Sequence, residues 1–292
     1  MTRPSRTLKF VLLLALAFVP WWRPVASTWR LALGGEAYTH ILLILPLSGA
    51  LIYRERRSLR AAFGPQLGAG SAVLLVALLI VSVARWGADA LPVDIPLSLS
   101  MFALVVWWVG SVLFCYGARA VASLLFPLCM LFWIVPMPET LLDVITHFLQ
   151  LQSAFAARVL FLMTGVPVTQ DGILLSIPGL DIEVARECSS IRSSLMLVIT
   201  TMLLAHLFLR SWWRKVLLIV AAVPLAVLKN GFRIFTIAEL GTRVDPGFFD
   251  GNLHHRGGII FFAISLAVMA ALLWVLQRTE TPGSQGLRGP YR

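Results

Sequence analysis

Residues 190–232, SIRSSLMLVITTMLLAHLFLRSWWRKVLLIVAAVPLAVLKNGF, decide what kind of molecule this is. Two apolar runs, 190–209 and 213–232, flank the short link RSWWRK (210–215). Each run is about 20 residues long, the length a helix needs to cross the hydrocarbon core of a bilayer. The link carries arginine and tryptophan, which sit at membrane interfaces because one part of the side chain is polar and another apolar. A helical hairpin across a membrane is therefore expected.

The same pattern recurs outward along the chain. Spans are expected at 8–22, 38–53, 69–86, 97–117, 119–136, 190–209, 213–232 and 257–277, and Trp21, Trp22, Trp86, Trp133, Trp212, Trp213 and Trp274 lie at or near their ends. Composition agrees: 59% of the 292 residues are hydrophobic and 13% charged, too little polar surface to solvate a globule of this size. The expected architecture is an all-α polytopic membrane protein of about eight transmembrane helices, one integral domain over residues 1–292. Residues 8–22 resemble a signal-peptide core, but WWRP offers no small-residue cleavage site, so they are read as the first span.

A net charge of +10 would suggest nucleic acid in a soluble protein; here the arginines report orientation instead, and no nucleic-acid partner is expected. With the N-terminus in the cytoplasm, the dense basic segments 1–7, 54–60, 210–215 and the tail from Arg278 fall inside. Only Glu55 and Glu280 of the fourteen acids then lie inside. Residues 139–164 have helical periodicity interrupted by Asp143, His147, Gln150 and Arg158, and are expected to lie on or dip into the outer leaflet. In VTQDGILLSIPGLDIEVA, which follows, DG and PG turns bound apolar runs, the pattern of a short extracytoplasmic β-hairpin before the sixth span.

Three polar groupings stand out at membrane boundaries. Cys188 lies in RECSSIRSS (186–194), at the expected start of the sixth helix, where unpaired N–H groups and the helix dipole favour a thiolate. Arg186 and Arg192 add to that effect and Glu187 opposes it. The competing reading is a small interfacial cysteine beside a serine-rich cap. The second grouping, Lys229, Asn230 and Arg233, places three polar residues within five positions of the seventh span, where ionisable groups are costly; snorkelling anchors are the competing reading. The third, NLHHRGG (252–258), offers His254 or His255 for proton transfer near neutral pH, or simply a solvated pair. No Cys or His spacing suited to a metal accompanies any of them, so neither metal nor cofactor is expected. On the alternation above, Cys188, Arg233 and His254 share the outer face.

ECSSIRSS (187–194), NGFRI (230–234) and HHRGG (254–258), in that order and helical context, resemble the exosortase/archaeosortase family of membrane-embedded cysteine transpeptidases. THILLILPLSGALIYRERR (39–57) and VPMPETL (135–141) are similar to the family's N-terminal half. The resemblance implies a catalytic Cys188, Arg233 and His254, with His255 the alternative to His254; Arg192 and Asn230, beside these residues in sequence, are expected to contact the substrate. It also implies a bacterial inner-membrane enzyme, to which the charge pattern above gives cytoplasmic termini and an extracytoplasmic site. Its substrates would be exported proteins ending in a short Pro-containing motif, a transmembrane helix and a basic tail. These would be cleaved through a thioester and passed to a cell-surface acceptor. The competing class is a permease or flippase for an anionic solute, against which no similarly interrupted pair of helices appears in the two halves.

Overall fold

The computed structural model describes residues 3–55, 64–184, 191–248 and 252–280, with the backbone alone for 3–5, 36 and 252–257. Almost all of it is helix: α1 (Arg3–Gly34), α2 (Ile41–Arg54), α3 (Leu67–Trp86), α4 (Ile95–Tyr116), α5 (Ala118–Ser123), α6 (Leu125–Met130), α7 (Glu139–Met163), α8 (Ile191–Phe208), α9 (Trp212–Arg243) and α10 (Asn252–Arg278). Among the described residues seven helices are long and apolar enough to cross a membrane: α1, α3, α4, α7, α8, α9 and α10. The chain is thus an all-α polytopic membrane protein. Its exposed residues include Phe18, Val19, Leu79, Val220 and Ile259, as a surface bathed in lipid requires.

The helices depart from several expected spans: α9 runs past the expected end at 232 to Arg243 and α10 starts before 257, at Asn252, and the larger departures lie earlier in the chain. The first span does not stop at residue 22, because α1 continues through Pro20 and Pro24 to Gly34. Pro24 has no N–H to give the carbonyl four residues back, and the Arg85 guanidinium of α3 donates to that Pro20 oxygen instead. The spans expected at 38–53 and 119–136 correspond to short apolar helices, the second broken into α5, α6 and a 3-10 turn at Leu131–Ile134. Residues 139–163, expected to lie on or dip into a leaflet, form one continuous helix long enough to cross.

The chain folds as two compact units, residues 1–142 and 143–292. In the first, Gly70 lets α3 and α4 approach closely, since any side chain there would collide with the backbone of Phe114. Indole N–H groups tie α1 to α4: Trp21 Nε1 donates to the Ser100 carbonyl at 2.7 Å and Trp107 Nε1 to that of Leu13 at 2.9 Å. With no water to compete, such bonds satisfy polar atoms that would otherwise be stranded in hydrocarbon.

The second unit has two apolar cores. Leu197, Ala205, Leu218, Ala222, Met269 and Leu273 join α8, α9 and α10 into a three-helix pack. Small residues there admit close backbones, which matters because lipid offers helices no hydrophobic drive to associate. At its end, the Glu280 carboxylate accepts N–H bonds of 3.0 Å from Arg210 and Ser211 and pairs with Arg214 at 3.6 Å. The second core lies under a small sheet, β1 (Thr169–Asp171), β2 (Leu174–Ile177) and β3 (Leu180–Glu183), antiparallel in the order β1-β2-β3. The expected hairpin is therefore a three-stranded meander whose two turns use Gly172 (φ 58°) and Gly179 (φ 82°) in the DG and PG pairs. Leu175 and Ile177 alternate inward and, with Val184, pack on Ala154, Ala157 and Phe161 of α7 and Ile234 and Ala238 of α9.

Candidate active site

The sheet core fixes where the polar residues of α9 lie, because Ile234 belongs to it and Lys229, Asn230 and Arg233 immediately precede it. All three are buried, Asn230 completely, while Phe232 between them is half-exposed. Lys229 and Arg233 are four apart and so share one face of the helix. A snorkelling anchor would reach outward to water; these side chains turn into the protein.

Glycine at 231 sets their depth. A Cβ there would stand 2.6 Å from the Ala156 Cβ and 3.0 Å from the Ala157 nitrogen, so only glycine allows α9 to lie this close to α7.

Two hydrogen bonds join the cluster's surroundings to the chain on either side of Cys188. The Lys229 ammonium donates to the Ser193 hydroxyl in the first turn of α8. Gln150 of α7, itself buried, donates from Nε2 to the carbonyl of Val184 at 2.6 Å, just beyond β3. Val184 and Ser193 are thereby held by two different helices. Ser194 is buried beside Ser193, its hydroxyl without a partner among the described residues.

The expected site residues fall into three sets. Asn230 and Arg233 are buried neighbours in the α9 cluster. Arg192 is exposed and stands apart from that buried set. Cys188 lies outside the described residues, as do Arg186 and Glu187. His254 and His255 occupy the first turn of α10, which begins at Asn252 rather than at 257, and their side chains are also outside the description. Gln150 and Ser193 are additions. Gln150 is visible in sequence as a polar interruption of an apolar helix, and Ser193 as part of the serine-rich run, but neither reveals its partner without the fold.

A buried lysine, asparagine and arginine on one long membrane-spanning helix, next to a small sheet, mark a functional site rather than a simple anchor. The model of the transmembrane exosortases matches residues 21–271, most of the chain, and the protein belongs to that family of membrane-embedded sorting transpeptidases. No curated protein and no solved structure matches it.

Proposed function

We propose that this exosortase is a thiol transpeptidase of the bacterial inner membrane that uses Cys188 as nucleophile. It would cleave the C-terminal sorting signals of exported proteins at the extracytoplasmic face. The observation that carries the reading is the buried Lys229, Asn230 and Arg233 cluster, hydrogen-bonded through Ser193 to the first turn of the helix that follows Cys188. Basic and amide groups buried this deeply are costly in a membrane and are retained where charge must be stabilised.

The chemistry follows from the residue types. The Cys188 thiol loses its proton to a base, for which His254 is assigned with His255 as the alternative, and the thiolate attacks the scissile carbonyl carbon. The tetrahedral oxyanion is held by N–H groups at the start of α8 and by Arg233. A guanidinium is a poor proton donor, so the role assigned to Arg233 is charge stabilisation. The C–N bond then breaks, the departing amine takes the proton back from the histidine, and a thioester to Cys188 remains. An acceptor nucleophile at the cell surface gives its proton to the histidine and attacks that thioester; the C–S bond breaks, releasing the thiolate and completing the transfer. Asn230 and Arg192 are assigned to substrate contacts, Asn230 from the buried cluster and Arg192 from the exposed side of the first turn of α8.

The test is co-expression with an exported reporter ending in a Pro-containing motif, an apolar helix and an arginine-rich tail. Cys188→Ala abolishes its processing while the variant accumulates in the membrane at the normal level. Processing that continues unchanged rules out Cys188 as nucleophile.

A further inference from the structure

Resting on the reading that the substrates end in an apolar transmembrane helix, we propose that the groove between α7 and α9 seats that helix. The two helices touch where Gly231 meets Ala156, and away from this contact they diverge to leave a groove of about 730 Å³. Phe148, Phe155 and Val159 of α7 and Val223, Leu228 and Phe232 of α9, all exposed, line it. From Val223 to Phe232 the groove follows α9 for about 14 Å, nearly half the thickness of a bilayer's hydrocarbon core.

Lipid tails fill any apolar groove in a membrane, and what singles out a helix here is the polar chemistry of the walls. Gln152 lines the groove from α7, and its carboxamide makes no hydrogen bond among the described residues. Pro224 lines it from α9 and gives no N–H to the Val220 carbonyl, which lies against its ring. The equivalent carbonyl in α1, that of Pro20, receives the Arg85 guanidinium; among the described residues no side chain donates to Val220. An acyl chain offers neither group a hydrogen bond, and an unmet polar group is costly in hydrocarbon. A transmembrane helix with serine, threonine or asparagine on one face meets both while its apolar residues fill the groove.

The groove is also continuous with the candidate site. Ala156 and Phe232 line it on either side of the Gly231 contact, and Asn230 and Arg233 are buried on the same turn of α9. A helix seated along Val223–Phe232 brings the segment that adjoins it to that turn.

The experiment places the photo-crosslinking residue benzoylphenylalanine at position 155 or 228, in the groove, or at 264 on the exposed face of α10 as a control. Each is made in the full-length Cys188→Ala protein, so that uncleaved substrate accumulates, and co-expressed with the reporter carrying the Pro-containing motif, apolar helix and arginine-rich tail. Phe155 and Leu228 are both exposed, and if one variant does not accumulate the other serves. After irradiation, adducts with the reporter's helix form at 155 and 228 and not at 264. At low reporter expression, Gln152→Leu lowers their yield about threefold, the worth of one interhelical hydrogen bond in a bilayer. Adducts with phospholipid alone, equal reporter yields at all three positions, or a yield that Gln152→Leu leaves unchanged overturn the groove. If adducts are missing while processing still depends on Cys188, the groove falls and the nucleophile stands. If adducts form while processing survives Cys188→Ala, the nucleophile falls and the groove stands.

Discussion

Gly231 of α9 sits directly over Ala156 of α7, with room for a hydrogen and not for a methyl: a Cβ at 231 would be 2.6 Å from that of Ala156. The contact sets how deeply Asn230 and Arg233 are buried on either side of it. Gly231→Ala forces the two helices apart and is expected to destabilise the protein by about 1–3 kcal/mol. Thermal unfolding in detergent measures this. Reporter processing falls further than the stability loss alone explains, since the neighbouring polar residues shift with the helix.

Glu280 makes a pH-dependent prediction at the other end of the second unit. Burial works against its ionisation, but N–H donors from Ser211 and Arg210 and the Arg214 guanidinium outweigh that and hold its carboxyl below the usual value. A depressed folded-state pKa contributes stability at pH values above the unfolded carboxylate value of about 4.3, and that contribution is lost as pH falls through the folded value. Glu280→Gln should therefore lower the melting temperature near pH 7, and the gap from the unsubstituted protein should close below about pH 4. A gap independent of pH would show that the carboxylate's charge is not what the α9 start uses.

Sidedness is tested through the thiols. With Cys115 and Cys129 replaced, a membrane-impermeant maleimide added outside intact spheroplasts should label Cys188 without permeabilisation. Labelling only after permeabilisation would reverse the orientation assigned from the arginines.

Much of the fold is legible in the sequence because the spans advertise themselves as apolar runs closed by arginine and tryptophan. α3, α4, α8, α9 and α10 all overlap their expected ranges. The end of the first span is not legible, because Pro20, Pro24 and the WWRP sequence look like a stop. The partner that lets the helix continue, Arg85, is 65 residues away from Pro20. Residues 139–163 are harder still, since Asp143, His147 and Gln150 give them the polarity of a surface helix. Gln150 is in fact buried and bonded to Val184. At the site, the cost of burying Lys229, Asn230 and Arg233 is readable from residue type alone. Which hydroxyl Lys229 meets depends on the packing of α8 against α9, and no spacing along the chain encodes it.

If an acyl group passes through Cys188, trapping that intermediate is the most direct test. The protein is mixed with a substrate carrying the sorting signal, quenched in acid and digested, and the peptide containing residue 188 is weighed. The expected result is an added mass equal to the substrate's acyl portion, removed by hydroxylamine as a thioester is. An active enzyme that carries no adduct on Cys188, or carries it on Ser193 instead, contradicts the assignment of Cys188 as nucleophile.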